Sequence, residues 1–118
     1  MVFNIINTNA SRIGKREKLL ELYAAFMMYN PDVVCIQEIN VRNATKYYQD
    51  QFQIIGNKDE GQNDDIGILT LIKKGTPIKE NILGKNGRII GTKLSECQIW
   101  NVYPPSGANF KSQREFFC

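Results

Sequence analysis

The tightest constraint on this chain's fold is the block from Lys15 to Ile36. Residues 15–29 place Leu19, Leu22, Tyr23, Phe26 and Met27 on one face at helical spacing. Asn30-Pro31 ends that helix, because the residue before proline disfavours helical backbone and proline cannot continue it. Asp32 then leads into Val33-Val34-Cys35-Ile36, a short buried strand. Upstream, residues 2–8 read as a strand built on Val2, Phe3, Ile5 and Ile6. Strand, helix and strand in this order form a β-α-β unit, whose strands usually pair in parallel. Two side expectations follow. Asn7-Thr8-Asn9-Ala10-Ser11 should break the first strand, being rich in turn-forming residues. The later half of the helix is apolar nearly all round and should be deeply packed.

Beyond this unit the texture shifts. Residues 41–52 read as a short helix with a Tyr47-Tyr48 pair, 53–56 as a strand, and 57–65 as a polar loop containing Gly61. Residues 66–72 are almost continuously apolar, which predicts a strand covered on both faces. Lys73-Lys74-Gly75 is a turn, 78–83 a weak strand, and 84–87 a second turn. Residues 88–94 and 98–103 form an antiparallel pair joined around Ser95-Glu96. Pro104-Pro105-Ser106-Gly107 cannot be regular structure, and 111–118 begin like a helix. The class is α/β, with helices packed on a mixed, mainly antiparallel sheet.

Composition narrows the function. The 118 residues suit at most one domain, and 42% hydrophobic with 23% charged residues are globular values. A net charge of +3 is compatible with a nucleic-acid partner without arguing for one. The chain contains no histidine, so chemistry on these residues must do without the commonest general acid–base. The three cysteines, Cys35, Cys97 and Cys118, form no CxxC pair. Cys35 and Cys97 lie in apolar runs, which fits small hydrophobes in a reduced, intracellular setting. No apolar run is long enough to cross a membrane, and no signal peptide is expected at the N-terminus.

Three segments carry candidate chemistry: Asn7-Thr8-Asn9 at strand one, Ile36-Gln37-Glu38 at strand two, and Asn101-Val102-Tyr103-Pro104-Pro105-Ser106-Gly107 at the last strand. If strands one and two are parallel neighbours, Asn9 and Glu38 leave the sheet at the same edge. An amide and a carboxylate there could share a divalent ion, since magnesium keeps several waters and takes one or two carboxylates plus substrate phosphate. Taken singly, each residue has a plainer reading. An asparagine after a strand is usually a turn residue, a strand-end glutamate is usually solvated, and a tyrosine such as Tyr103 usually packs.

The order of these segments resembles the endonuclease/exonuclease/phosphatase superfamily, and most closely the apurinic-like endonuclease domains of non-LTR retrotransposons. Its pattern is a strand ending in asparagine, an amphipathic helix, then a proline, an acidic residue, an apolar run and Gln-Glu, as in Pro31-Asp32-Val33-Val34-Cys35-Ile36-Gln37-Glu38. Residues 66–74 are similar to the family's Gly-rich approach to an apolar strand. Residues 101–107 are similar to its Asn-Val-Tyr-x-Pro signature, and Arg114-Glu115-Phe116-Phe117 to retrotransposon versions. The resemblance implies metal-dependent cleavage of a phosphoester, with Mg2+ or Mn2+ as cofactor and target-site DNA as partner. It implies Glu38 as the metal-binding glutamate, Asn9 near metal and phosphate, and Tyr103 positioning that phosphate. The compartment implied is intracellular, and nuclear for an enzyme that nicks target DNA.

The departures are equally specific. The family's Gly-Asp-Phe-Asn and Ser-Asp-His motifs are absent, and Ala10 stands where a glycine often follows the first asparagine. Loss of acid–base help alone costs about 10²–10⁴-fold. The reading is therefore residues 1–118 as a single incomplete domain, the N-terminal half of a four-layer α/β sandwich. It is inactive alone and lacks the C-terminal half as its partner. One face of the remaining sheet should lose its cover, exposing apolar positions in 66–72 and 98–103. Two alternatives stay open: another phosphoesterase of the superfamily, and a non-catalytic binding module.

Overall fold

The computed structural model describes residues 3–59, 61 and 64–104. The elements run β1 (Ile5–Ile13), α1 (Arg16–Met28), β2 (Val33–Asn40), α2 (Val41–Tyr48), β3 (Phe52–Lys58), β4 (Ile66–Lys73), β5 (Ile78–Leu83), β6 (Ile89–Leu94) and β7 (Gln98–Val102), with a short 3-10 turn at Lys85–Gly87. The predicted β-α-β unit is present. β1 pairs in parallel with β2, from Ile5 opposite Val33 to Asn9 opposite Gln37. Every other pairing is antiparallel. Two sheets result, one ordered β1-β2-β4-β3 and one ordered β5-β6-β7. The expected helix at 111–118 lies outside the described residues.

The helices cover one face of the four-stranded sheet. Leu19, Phe26, Val34, Ile36, Ala44, Tyr48, Leu69 and Leu71 form the core of that layer. Tyr48 is wholly buried and satisfies its hydroxyl by donating to the Leu19 carbonyl at 2.7 Å. Tyr23 and Phe26 flank its ring at centroid spacings of 5.2 and 6.2 Å, and Phe52 meets the Tyr23 ring edge-on at 6.2 Å. Asn40 caps α2 by accepting from the Asn43 amide at 2.9 Å. The opposite face meets the three-stranded sheet through Val33, Cys35, Ile72 and Leu94. The described residues thus form three layers: helices, first sheet, second sheet.

Several expectations need correction. Asn7-Thr8-Asn9-Ala10-Ser11 interrupts β1 without ending it: the register with β2 shifts after Asn9, and the strand runs on to Ile13. Up to Ala10 the segment alternates: Ile6 and Ala10 join the helix-side core, as does Ile13 beyond the register shift, while Asn7 and Asn9 are exposed on the other face of an edge strand. Polar residues at every second position belong there. The end of α1 is not deeply packed, with Met28 83% and Tyr29 70% exposed. A single helix on a sheet buries one stripe, here Leu19, Leu22, Tyr23 and Phe26. Outside that core, Ile68 is fully buried and Ile5 is 51% exposed. Finally, β4 has not lost its cover, since 67–72 are all buried. The chain itself supplies the second sheet; the expected exposure within 98–103 is seen at Trp100, 51% exposed on β7, and Ile82 and Leu83 of β5 are exposed as well.

Candidate active site

Glu38 is where sheet geometry departs from its period. Along β2, Val34 and Ile36 face the helices, and Val33 and Cys35 face the second sheet. Strict alternation would send Glu38 toward the helices. The backbone at Glu38 instead adopts φ 53°, and the β2–β4 ladder shifts register between Ile36 opposite Leu69 and Ile39 opposite Gly67. Two residues, Gln37 and Glu38, therefore oppose one. This is a β-bulge, a device that re-aims a side chain. Both Gln37 and Glu38 now bond to residues of the β7 segment, and Ile39 returns to the helix-side core.

β1 carries a matching irregularity beside it. Its register jumps from Asn9 opposite Gln37 to Ile13 opposite Ile39, with Ser11 at φ 51° and Arg12 at φ 68°. Asn9 makes the turn itself, its Oδ1 accepting from the Ser11 amide at 2.8 Å. Arg12 is thereby aimed into the same cavity as Glu38 and pairs with Asp64. Gly67 permits the crowding opposite the bulge: a Cβ there would lie 2.2 Å from the Asn57 carbonyl oxygen. Left-handed backbone at non-glycine residues costs about 1–3 kcal/mol each and gathers at functional sites. Three such residues stand together here.

Behind the bulge, a buried amide network ties the sheets together. Gln37 Nε2 donates to Asn7 Oδ1 at 2.8 Å and to Asn101 Oδ1 at 2.9 Å. Asn101 Nδ2 donates to the Leu69 carbonyl at 2.9 Å and to Thr70 Oγ1 at 3.1 Å. Asn101 is 1% exposed. One residue beyond Gln37 stands Glu38, and two beyond Asn101 stands Tyr103. The Tyr103 hydroxyl donates to Glu38 Oε1 across the gap between the sheets. As acceptor, the Glu38 carboxylate holds the Tyr103 phenol above the ordinary tyrosine value; burial and the carboxylate charge add to this, while Arg88 and Arg12 oppose it.

The pair opens into a cavity of about 250 Å³ lined by Arg12, Glu38, Gly67, Gly87, Arg88 and Tyr103 among others. An adjoining cleft of about 590 Å³ is lined by Asn7, Asn9, Gln37, Trp100 and Tyr103 among others. Of the three residues singled out in the sequence, Glu38 and Tyr103 are in direct contact. Asn9 reaches the adjoining cleft, which Tyr103 also lines. Glu38 and Asn9 sit at bulges inside strands, not at strand ends, because β2 runs on to Asn40 and β1 to Ile13.

No family model and no curated protein matches this sequence. Solved structures do. The AP endonuclease LMAP from Leishmania major superposes with a TM-score of 0.64 at 22% identity, over 97% of this chain and 44% of that chain. The endonuclease domain of TRAS1, a telomere-specific non-LTR retrotransposon, superposes with a TM-score of 0.56 at 14% identity, over 98% of this chain and 52% of that chain. This chain has the endonuclease/exonuclease/phosphatase fold. It spans about half the length of the structures it matches.

Within the endonuclease/exonuclease/phosphatase fold, the donor set here is sparse. Among the described residues, no group of three His, Cys, Asp or Glu side chains is placed to hold a metal. Glu38, in an open cavity with Asp59 also in its lining, offers a carboxylate to an ion that otherwise carries water and substrate oxygen. That fits magnesium, which dehydrates reluctantly and takes one or two carboxylates; it does not fit an ion caged by protein. Sequence reasoning missed Arg12 and Arg88. A signal for Arg88 was present, since an antiparallel pair of 88–94 with 98–103 sets Arg88 across from Tyr103. The turn-forming residues of Asn7-Thr8-Asn9-Ala10-Ser11 signalled the backbone turn made by Asn9, but not that it aims Arg12 at the cavity. Among the described residues, no helix is long and apolar enough to cross a membrane.

Proposed function

We propose that this chain forms the first half of a divalent-metal-dependent phosphodiesterase domain, of the DNA-nicking kind carried by non-LTR retrotransposons, and that these 118 residues alone are inactive. Glu38 holds Mg2+ or Mn2+, Tyr103 fixes the Glu38 carboxylate and the nearby phosphate, and Asn9 approaches that phosphate from the adjoining cleft. The reading rests on one observation above all: Glu38 at the β2 bulge and Tyr103 just past β7, 65 residues apart, are hydrogen-bonded to each other. The matched AP endonuclease and retrotransposon endonuclease domain add support at the level of fold.

When bound, the metal would neutralise charge on the scissile phosphate and polarise its oxygens. The chain's own residues do the rest. Tyr103, as donor to Glu38, holds one carboxylate oxygen and leaves the other for an ion. Arg88 and Arg12, the latter paired with Asp64, line the cavity as donors opposite the carboxylates of Glu38 and Asp59. None of the 118 residues is histidine, so among the described cavity residues only the carboxylates of Glu38 and Asp59 could accept a proton from an attacking water.

Mn2+ titration of the isotopically labelled chain, followed by NMR, tests the metal site. Paramagnetic broadening should centre on the amides of Glu38 and Tyr103 and vanish in Glu38→Gln. Broadening that survives Glu38→Gln defeats the reading. A supercoiled-plasmid assay with Mg2+ should show no nicking by the 118-residue chain; nicking that disappears in Glu38→Ala would show that the first half suffices.

A further inference from the structure

We propose that Arg88 is a positioning residue for this site, holding both the ring and the backbone of Tyr103 so that its hydroxyl meets Glu38. Its role rests on the reading of Glu38 and Tyr103 given above, but the contact can be tested apart from it.

Four observations converge on Arg88. Its guanidinium carbon lies 5.3 Å from the centroid of the Tyr103 ring, within the range of a cation–π contact. Its Nη1 donates to the Tyr103 carbonyl at 3.4 Å and to the Pro104 carbonyl at 3.1 Å. Its own carbonyl accepts from the Tyr103 amide at 2.9 Å, one step past the last rung of the β6–β7 ladder. Arg88 thus grips the ring and both carbonyls where the chain leaves β7 with no further strand partner among the described residues. The planar guanidinium suits this task, because one face meets the ring while the edge donates in the plane.

Arg88 is in turn held by the first sheet. Asn57, on β3, donates from Nδ2 to the Gly84 carbonyl at 2.7 Å and to the Ile89 carbonyl at 3.0 Å, clamping the loop that precedes β6. Gly87, at φ 66°, lies so close to β3 that a Cβ would sit 2.6 Å from the Asp59 amide nitrogen. The path runs from β3 through the 84–89 loop to Arg88, then Tyr103, then Glu38. It returns to the first sheet at the bulge of β2. Tyr103 sits just past the end of its strand and would otherwise be free to turn away from Glu38.

The test uses the whole 118-residue chain labelled with ¹³C at tyrosine ring carbons, with the Tyr103 signal assigned by its loss in Tyr103→Phe. Arg88→Gln should move that signal toward the position of an exposed tyrosine, and Glu38→Gln should move it in the same direction. In the double variant the displacement should be no larger than in Glu38→Gln alone, because both changes break one contact. Arg88→Lys keeps the charge but not the planar fork and should not restore the wild-type position. An unmoved Tyr103 signal in Arg88→Gln overturns the proposal, as do additive displacements in the double variant. So does an Arg88→Lys chain in which all five tyrosine signals shift together, since that marks a general support of the fold. Absence of Mn2+ broadening at Glu38, with the Tyr103 displacement still seen, would remove the metal reading and leave this contact standing.

Discussion

Truncating Asn101 should destabilise the fold well beyond an ordinary β-strand substitution. Its amide accepts from Gln37 and donates to the Leu69 carbonyl and Thr70 Oγ1, all in the gap between the sheets. Each such bond contributes about 0.5–1.5 kcal/mol net, so Asn101→Ala should cost roughly 3 kcal/mol, more if water cannot reach the orphaned partners. A domain of this kind holds about 5–15 kcal/mol in all. With an urea slope of about 1–3 kcal/mol/M, the unfolding midpoint should fall by roughly 1–3 M. Thr70→Val supplies the control. It keeps the side chain's shape and removes the hydroxyl that Asn101 bonds, so the two changes together should cost about 1 kcal/mol less than their sum. Urea unfolding followed by circular dichroism reads all four chains. An Asn101→Ala unfolding free energy within about 1 kcal/mol of wild type, or strict additivity with Thr70→Val, would show that the network does not bind the sheets.

Two further outcomes follow from the backbone and from burial. Glu38 holds φ 53°, so Glu38→Gly should be about 1 kcal/mol more stable than Glu38→Ala; equal unfolding midpoints would mean that the bulge carries no strain. Burial pushes the Cys35 thiol up to about 11 from 9.0, with the Thr70 hydroxyl opposing. The unfolded chain therefore releases this proton first, and stability present below about pH 9 should be lost as pH rises toward 11, by at most about 3 kcal/mol. Cys35→Ala should flatten that part of the pH profile, and an unchanged profile would refute the assignment. Alkylation mapped by mass spectrometry should likewise label the half-buried Cys97 before Cys35.

Most of the architecture was legible because it rests on periodicity and punctuation. The stripe Leu19, Leu22, Tyr23 and Phe26 gave α1, Asn30-Pro31 gave its end, and the unbroken apolar run of 66–72 gave β4. Parallel pairing of β1 with β2 followed from the order of elements alone. What failed were inferences about surroundings. Whether Met27 and Met28 are covered depends on what lies beside the helix, which local sequence does not encode. Asn7 and Asn9 looked like turn residues because two cues compete at them: turn propensity, and alternation on an edge strand with one open face. Both operate: alternation carries β1 through Asn7 and Asn9, with Ile6 and Ala10 buried against the helix layer, and the turn follows at Ser11-Arg12, where the Asn9 side chain accepts from the Ser11 amide.

The site was legible only in part, and for a related reason. Glu38, Tyr103 and Asn9 drew notice through the order of their motifs, yet a strict two-residue period would point Glu38 at the helices, where an unpaired carboxylate would be expensive to bury. The same period, applied to β1, would not send Arg12 to the cavity. Both strands break the period side by side, at Ser11-Arg12 and at Glu38, each with left-handed backbone on residues that disfavour it. Neighbouring strands that slip together keep their pairing on either side, so Ile13 meets Ile39 and the helix-side core closes again beyond the irregularity. The cost falls on a few residues and the rest of the sheet stays regular. Local rules fail in natural proteins mainly where function requires it, and here they fail at the residues that face the cavity. Gln37 and Asn101 show the complementary case. They belong to the same recognisable motifs as Glu38 and Tyr103, but they face inward and hold the sheets together. A motif of this kind therefore joins two roles, an amide that fixes the spacing of the sheets and a neighbour that uses that spacing to meet its partner.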